Sequence, residues 1–427
     1  MKKKEIKYVT GLLVIMLAIC LLYHLGWLLT VVMLAVTAFS MPFLLRFRAE
    51  RREHLVRFEQ CGQYLEQMMY SFQMNGKILL ALTETEKVME EGEWKDRIHK
   101  ACDIVSLSLS EKNVYEDAFA VIEEKYGNSR MENLHRFFIQ VELNGGEYRR
   151  YLQLFMEDCS HWIERIGLLR KEVMQMYWKV VAALGIAVGM CAIGDYLLPF
   201  QSQGMIAAAG KAVSVLFLLV VIAVYLIVNK RVAIDWLHRD QSKGDKTTEE
   251  YVHRLEEYSH EKGHRIGRRI LLRTLEQSVK AAFPQWLMQV ALLLQKNNVQ
   301  VSIMQTLPAA AAVMRPDIEK MVKAFEFCPE GILPYEQFLS QYEDKSIRQS
   351  MKTLYSISEL GFKEGQQQIE LLLERNQKMA DQADKMKNEN TLAGMVALYL
   401  LPMLIGAVKL LFDMTLFLFV FFQNIAM

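Results

Sequence analysis

The sequence predicts an all-α integral membrane protein. We expect two tandem cytoplasmic bundles of antiparallel helices, each followed by a transmembrane hairpin, and an extra N-terminal transmembrane hairpin. Hydrophobic residues make up 52% of the 427 residues but are concentrated in blocks between charged segments, as in membrane proteins. Within the charged segments, apolar residues recur three and four positions apart, which is the period of an α-helix. The two charged segments also resemble each other in sequence, which indicates a duplication.

The N-terminal hairpin is predicted in residues 1–46. Two apolar runs, "GLLVIMLAICLLY" and "WLLTVVMLAVTAFSMPFLL", are separated by His24-Leu25-Gly26, and each approaches the roughly 20 residues that cross a bilayer. A second hairpin is predicted in residues 177–229, where the segment joining its two spans carries one charge, Lys211. These blocks therefore supply four of the expected spans.

The C-terminal apolar block, residues 391–427, has two interpretations. As one straight helix it would be roughly 55 Å long, which exceeds the ~30 Å hydrocarbon core. The block either turns near residues 409–413 and returns, or forms one span followed by an interfacial helix. The hairpin is favoured. Lys409 and Asp413 are four residues apart on one helical face, so they would either neutralise each other or mark the turn of the hairpin.

Basic residues near the span ends predict the orientation, because cytoplasmic loops of membrane proteins are enriched in Lys and Arg. The short turns on the other side are almost uncharged. The N-terminus and both polar segments, residues 47–176 and 230–390, are therefore predicted to be cytoplasmic in a multi-pass plasma (inner) membrane protein. The basic residues are Lys2, Lys3, Lys4, Lys7, Arg46, Arg48, Arg51, Arg52, Arg165, Arg170, Lys171, Lys230 and Arg231.

The duplication assigns the polar segments to a first helical domain (47–176), a basic connector (230–278) and a second helical domain (279–390). The stretch from Phe58 aligns without a gap with the stretch from Phe283, so that Ile78 meets Ile303. Further on, "YEDAFAVIEEKYGNSRMENLHRF" pairs with "YEQFLSQYEDKSIRQSMKTLYSI", so that Tyr115 meets Tyr335. Each copy is expected to form about six antiparallel helices.

These patterns resemble the type II secretion F family, the platform proteins of type II secretion, type IV pilus and Tad pilus machines. The stretch "SFQMNGKILLAL" fits the family's first helix and turn, and "LSEKNVYEDAF" and "PEGILPYEQFL" resemble its second turn. The family's glutamate and small-Gly turn is matched by "QVELNGGEYRRYLQLF". The leading pair of spans is similar to TadB-like members.

The resemblance implies a non-enzymatic protein without cofactor or metal, which couples a cytoplasmic assembly ATPase to extraction of pilin-like subunits. Membrane lipid and another platform subunit or a second copy are further expected partners. Nucleic acid is not an expected partner, because the charges of the 50 basic and 49 acidic residues nearly cancel. The candidate partner-binding residues are Glu142, Gly145, Gly146, Arg149 and Arg150 in the first copy, and Glu359, Glu364 and Gly365 in the second.

Each candidate also has a purely structural interpretation. Gly145-Gly146 would end one helix, Glu142 would be solvated or cap a neighbouring helix, and Arg149 and Arg150 would be a solvated face. In the second copy, Glu359 or Glu364 would be the equivalent glutamate, with Gly365 as the turn. Both interpretations remain open at this stage.

Two short motifs suggest other chemistry. His260-Glu261-Lys262-Gly263-His264 matches the zinc-binding pattern H-E-x-x-H, which would make the protein a membrane metalloprotease. Gly263 weakens the helix that this site needs, and the nearby basic cluster Arg265, Arg268 and Arg269 would repel a dication. That cluster suits an anionic membrane face instead. "GMIAAAGK" departs from the P-loop spacing. A membrane scaffold or sensor unrelated to secretion is the main alternative.

Overall fold

The structure is a computed structural model, and it confirms the all-α class. It describes residues 2–107, 113–145, 148–197, 204–237, 250–255, 265–294, 297–328, 331–342 and 344–425. Throughout these ranges the chain is helical or in short turns, and they contain no strand.

The helices are numbered in chain order, apart from a short helical stretch at residues 250–255 and a 3₁₀ turn at Leu307–Ala309. They are α1 (Lys2–Leu22), α2 (Trp27–Asn75), α3 (Ile78–Val88), α4 (Glu93–Leu107), α5 (Val114–Tyr126), α6 (Ser129–Asn144), α7 (Arg149–Leu197), α8 (Gly204–Val232), α9 (Arg265–Leu293), α10 (Val299–Thr306), α11 (Arg315–Phe327), α12 (Leu333–Gln337), α13 (Lys345–Leu360) and α14 (Phe362–Ile425).

The chain divides into two compact units. The apolar unit comprises Met1–Val56, Arg165–Trp236 and Asn388–Met427. The polar unit comprises Arg57–Glu164 and Leu237–Lys387. Both polar segments of the sequence therefore contribute to one unit, and their division into two tandem bundles stays a prediction.

Five helices of the described chain are long and apolar enough to cross a membrane: Glu5–Leu22, Trp27–Asn75, Leu152–Tyr196, Ala208–Val232 and Gln367–Phe419. The structure is compatible with the predicted multi-pass membrane protein. The helices are contributed by α1, α2, α7, α8 and α14.

The predicted C-terminal hairpin is wrong. Helix α14 runs without interruption for 64 residues, or about 96 Å. Lys409 and Asp413 do not interrupt it, because they lie one turn apart and form an ion pair with Nζ 2.5 Å from Oδ2. The residues between them, Leu410-Leu411-Phe412, include neither Gly nor Pro and favour helix.

A hydrophobic core in the apolar unit is formed by α1, α2, α7 and α8, for example through Cys20, Met33, Cys191 and Leu218, and α14 packs against it. Helix α14 approaches α7 closely at Gly406, where a Cβ would lie 3.3 Å from Ala187. Small residues at such positions let membrane helices pack backbone to backbone.

The polar unit has an aromatic core in its first segment. Phe72 of α2 packs on Phe138 of α6 with ring centroids 4.2 Å apart. Tyr64 of α2 meets Trp94 of α4 edge to face at 5.5 Å. Each of these side chains is almost fully buried, and burial of such large rings is a major stabilising contribution.

The second segment of this unit also has a buried aromatic side chain on its first helix, Trp286 of α9. Trp286 of α9 stacks on Phe338 at 5.1 Å, and its indole N–H donates to Thr306 Oγ1 of α10 at 2.8 Å. Gln289 of α9 donates to Asn133 of α6 at 2.6 Å. This hydrogen bond joins the two segments.

Helices α6 and α13 correspond closely in form. Each has 16 residues, begins after a capping Asn128 or Asp344, and ends at a glycine with positive φ, Gly145 at 69° or Gly361 at 79°. Aligned by these ends, the buried positions of α13 all fall on buried positions of α6. The pairs are Met131 with Ile347, Leu134 with Ser350, His135 with Met351, Phe138 with Leu354, and Val141 with Ile357.

Helices α3 and α10 correspond in the same way. The four buried residues of α3, Ile78, Ala81, Leu82 and Thr85, match those of α10, Val299, Ser302, Ile303 and Thr306. The register predicted from sequence, which paired Ile78 with Ile303 and Met131 with Met351, is therefore wrong by about one helical turn. A shift of one turn keeps the apolar face in place, so the apolar pattern alone does not fix the register.

The turn between α2 and α3 requires Gly76. Its φ is +64°, and a Cβ there would lie 2.9 Å from the hydroxyl of Tyr148. We expect Gly76→Ala to lower the free energy of unfolding of the polar unit by about 1–3 kcal/mol, because this backbone region is costly for residues with a Cβ. Thermal unfolding of the purified protein checks this.

Gly167→Ala is the control for that measurement. Gly167 lies inside α7, and a Cβ there would have no atom within 4 Å. It should leave stability unchanged or raise it by up to about 1 kcal/mol, because alanine favours helix over glycine. Equal losses from both substitutions would contradict the role assigned to the Gly76 turn.

Candidate functional site

Glu142 caps a neighbouring helix. Its carboxylate accepts a hydrogen bond of 2.5 Å from the backbone N–H of Ile78, the first residue of α3. Lys77 places its ammonium nitrogen 3.3 Å from the other carboxylate oxygen. A carboxylate at this place satisfies a free N–H and interacts favourably with the helix dipole.

Tyr115 adds a third partner, since its hydroxyl hydrogen-bonds to Glu142. Burial, followed by the negative charge of Glu142, raises the pKa of Tyr115. The Glu142 side chain is only 9% exposed. The structure therefore matches the capping interpretation of Glu142, and the partner-binding role of this residue stays a prediction.

The neighbouring candidates are more accessible. Gly145 ends α6 with φ 69°, while Gly146 lies outside the described residues. Arg149 and Arg150 are exposed in the first turn of α7, where a partner could reach them.

The second copy differs from the prediction. Its turn glycine is Gly361, whereas Gly365 lies inside α14 and makes no turn. Aligned by the helix ends, Ser358 occupies the position of Glu142, so neither Glu359 nor Glu364 is equivalent to it. No acidic cap is needed there, because Asn298 caps α10 by accepting from Val301 N–H at 2.9 Å. Glu359 is exposed near the end of α13, and Glu364 lies in α14.

The remaining sequence motifs lie at helix starts or outside the described chain. Arg265, Arg268 and Arg269 belong to the first turns of α9, and Arg269 is exposed. The H-E-x-x-H motif, including His260 and His264, lies outside the described residues. Residues 204–211 form the start of α8 rather than a phosphate-binding loop.

A buried polar centre in the first copy was missed by the sequence analysis. His135 is 1% exposed and stacks on Phe119 at 3.9 Å. Its Nδ1 lies 2.6 Å from the Glu123 carboxylate, and its Nε2 lies 2.8 Å from the Tyr64 hydroxyl. A carboxylate only accepts, so Nδ1 carries the proton, and the neutral ring then accepts from Tyr64 through Nε2.

Burial lowers the pKa of His135, and the hydrogen bond to Glu123 opposes this shift only in part. As pH falls through 6.5, the ordinary pKa of histidine, His135 is therefore protonated in the unfolded chain before it is protonated in the folded protein. Stability from this site is complete above that pH and is lost as pH falls below it. We expect the free energy of unfolding to fall by about 1 kcal/mol per pH unit in that range.

The double variant Tyr64→Phe/His135→Met should remove most of this pH dependence. It removes both partners of the buried hydrogen bond, and the second copy carries Met351 at the corresponding position. His161→Met, at an exposed position of α7, is the control. Denaturant unfolding at a series of pH values measures the slope, and an unchanged slope in the double variant would exclude His135 as its source.

Three charged side chains meet in the apolar unit. Lys409 of α14 forms ion pairs with Asp195 of α7 and with Asp413 of its own helix. Ser214 of α8 donates to Asp195 at 3.1 Å. Tyr23 places its ring 5.6 Å from the ammonium nitrogen of Lys409. We call Asp195, Lys409 and Asp413 the charged cluster.

Sequence spacing suggested only the pair within α14, because Asp195 lies far away in the chain. No group of three or more His, Cys, Asp or Glu side chains in the described part of the chain is placed to hold a metal ion.

Comparison with known proteins does not assign the chain to a family. No protein-family model, curated protein or solved structure matches the chain. The resemblance to the type II secretion F family therefore rests on the sequence patterns alone.

Proposed function

We propose that the protein is a non-enzymatic platform in the plasma membrane of a type II secretion, Tad or type IV pilus-like machine. It would couple a cytoplasmic assembly ATPase to the extraction and assembly of pilin-like subunits. The observation that carries this proposal is the correspondence of α3 with α10 and of α6 with α13, in a chain that also has five helices suited to a membrane.

The corresponding helices support a duplicated design with two tandem F-type bundles. Repeated helical units present extended surfaces that are suited to docking partners. The basic residues flanking the apolar helices favour a cytoplasmic position for both bundles and for the N-terminus. Membrane lipid, the motor ATPase, pilin-like subunits and a second platform subunit are the expected partners.

Co-purification tests the proposal directly. The full chain, tagged and extracted from crosslinked membranes of its host, should bring down a hexameric secretion ATPase and pilin-like subunits. Deletion should abolish pilus assembly or secretion. If neither partner were recovered and assembly stayed intact in the deletion strain, the platform function would be excluded. A scaffold or sensor role would then be the remaining interpretation.

A pair of variants locates the motor contact. We expect Arg149→Glu/Arg150→Glu to reduce recovery of the ATPase several-fold, because both residues are exposed next to the α6–α7 turn. Lys345→Glu/Arg348→Glu, which reverses two exposed charges on α13, is the matched control. Equal recovery from both variants would place the contact elsewhere.

Metal analysis separates the platform from the metalloprotease. The platform proposal expects no stoichiometric zinc in the purified protein. Zinc that is bound at one equivalent and lost on His264→Ala would establish the H-E-x-x-H segment as a metal site and overturn the non-enzymatic assignment.

A further inference from the structure

The charged cluster lies among apolar helices and is shielded from water. The side chains of Lys409 and Asp413 are each 2% exposed, whereas that of Asp195 is 21% exposed. Asp195 lies close to the end of α7, and Tyr23 directly follows α1. The cluster therefore sits at the end of the helices where the α1–α2 turn lies, and Asp195 is its accessible member.

The charges of the cluster do not balance. Two carboxylates and one ammonium group leave one excess negative charge when all three are ionised. An uncompensated charge among apolar helices costs several kcal/mol. Ser214 solvates Asp195 through a hydrogen bond, but a neutral hydroxyl does not remove the charge. The cluster needs one additional positive charge.

The geometry favours a proton over a larger cation. Asp413 Oδ2 is buried and receives no well-directed hydrogen bond, although Lys409 Nζ lies 2.5 Å away. The carboxyl groups of Asp413 and Asp195 both lie against the ammonium nitrogen of Lys409. Two carboxyl groups held around one site in this way favour a state in which one of them carries a proton. At 2% exposure, Asp413 offers no opening for the side chain of a partner.

We propose that the charged cluster is a proton-binding site of the membrane unit, in which one proton is held on Asp413 and shared with Asp195. The groups facing it are Lys409 on the same helix, Asp195 and Cys191 on α7, and Tyr23 in the α1–α2 turn. The proton comes from water through Asp195, and it leaves the cluster neutral. Proton binding thereby strengthens the connection between α14 and α7.

Infrared spectroscopy of the protein in lipid nanodiscs tests this inference. We expect a carbonyl stretching band of a protonated carboxylic acid near neutral pH, where carboxyl groups in water are ionised. The band should shift in D₂O and disappear in Asp413→Asn. Asp413→Asn removes the excess charge and should remain folded, and Asp413→Glu should retain the band at a changed frequency. Glu172→Gln, at an exposed position of α7, should leave the band unchanged.

Three outcomes would overturn the proposal. The first is the absence of a protonated carboxyl band at neutral pH, and the second is an unchanged band in a folded Asp413→Asn variant. The third is loss of the band when sodium or potassium is added at constant pH, which would make the site a monovalent cation site. None of these outcomes bears on the platform function, because the motor and pilin tests do not use the cluster.

Discussion

Lys409→Met is expected to lower the free energy of unfolding by about 3–5 kcal/mol, the typical cost of leaving buried charge without its partner. The substitution removes the cation that Asp195 and Asp413 share. Methionine has a similar length and an apolar character that suits the site, so the loss reports the charge rather than a cavity. Thermal unfolding in detergent or nanodiscs measures it.

The pH dependence of this loss is informative. At lower pH the carboxylate that is still ionised gains a proton, and the penalty of the variant should shrink. Lys179→Met, at an exposed position on α7, is the control and should change stability by less than about 0.5 kcal/mol. If Lys409→Met behaved like Lys179→Met, the cluster would contribute nothing to the packing of α14.

Glu142→Lys is expected to destabilise the polar unit by about 3–5 kcal/mol, the cost of a buried, unpaired charge. A lysine there places a positive charge against the N-terminus of α3, where the helix dipole is also positive. The new lysine would also lie beside Lys77, whose ion pair with Glu142 is lost, and would leave the backbone N–H of Ile78 without a hydrogen-bond acceptor. Chemical denaturation of the purified protein measures the loss.

Glu142→Gln distinguishes capping from partner binding. Glutamine retains a side-chain oxygen for Ile78 N–H, so the expected loss is about 1 kcal/mol, in the range of a weakened cap. Recovery of the motor ATPase should stay unchanged if Glu142 acts only as a cap. A folded Glu142→Gln variant that no longer recovers the ATPase would assign the carboxylate to the partner.

The helical class and the membrane character could be predicted from the sequence, because both depend on local properties. Apolar blocks of span length and the three-four periodicity are read directly along the chain. The C-terminal hairpin was a wrong inference from charge at Lys409 and Asp413, since these two side chains pair with each other within the helix. Asp195, which also pairs with Lys409, is brought there only by the fold. The length of the C-terminal apolar block alone does not decide between one membrane span and two.

The candidate site was predicted in part. The Glu-Gly-Gly pattern located the end of α6, and capping by Glu142 was one of its two interpretations. The helix that it caps depends on tertiary packing, as does the contact of His135 with Tyr64 and Glu123. The turn glycine of the second copy was misplaced to Gly365, because an alignment shifted by one turn still matches Met131 with Met351 and Leu134 with Leu354 while moving each cap.

The unbroken course of α14 also changes the sidedness of the chain. A C-terminal hairpin would have given an even number of crossings and returned the chain to the side on which it started. The helices that are long and apolar enough to cross, which lie in α1, α2, α7, α8 and α14, are five in the described chain, an odd number. If each of them crosses once, Lys2 and Ile425 lie on opposite sides of the membrane.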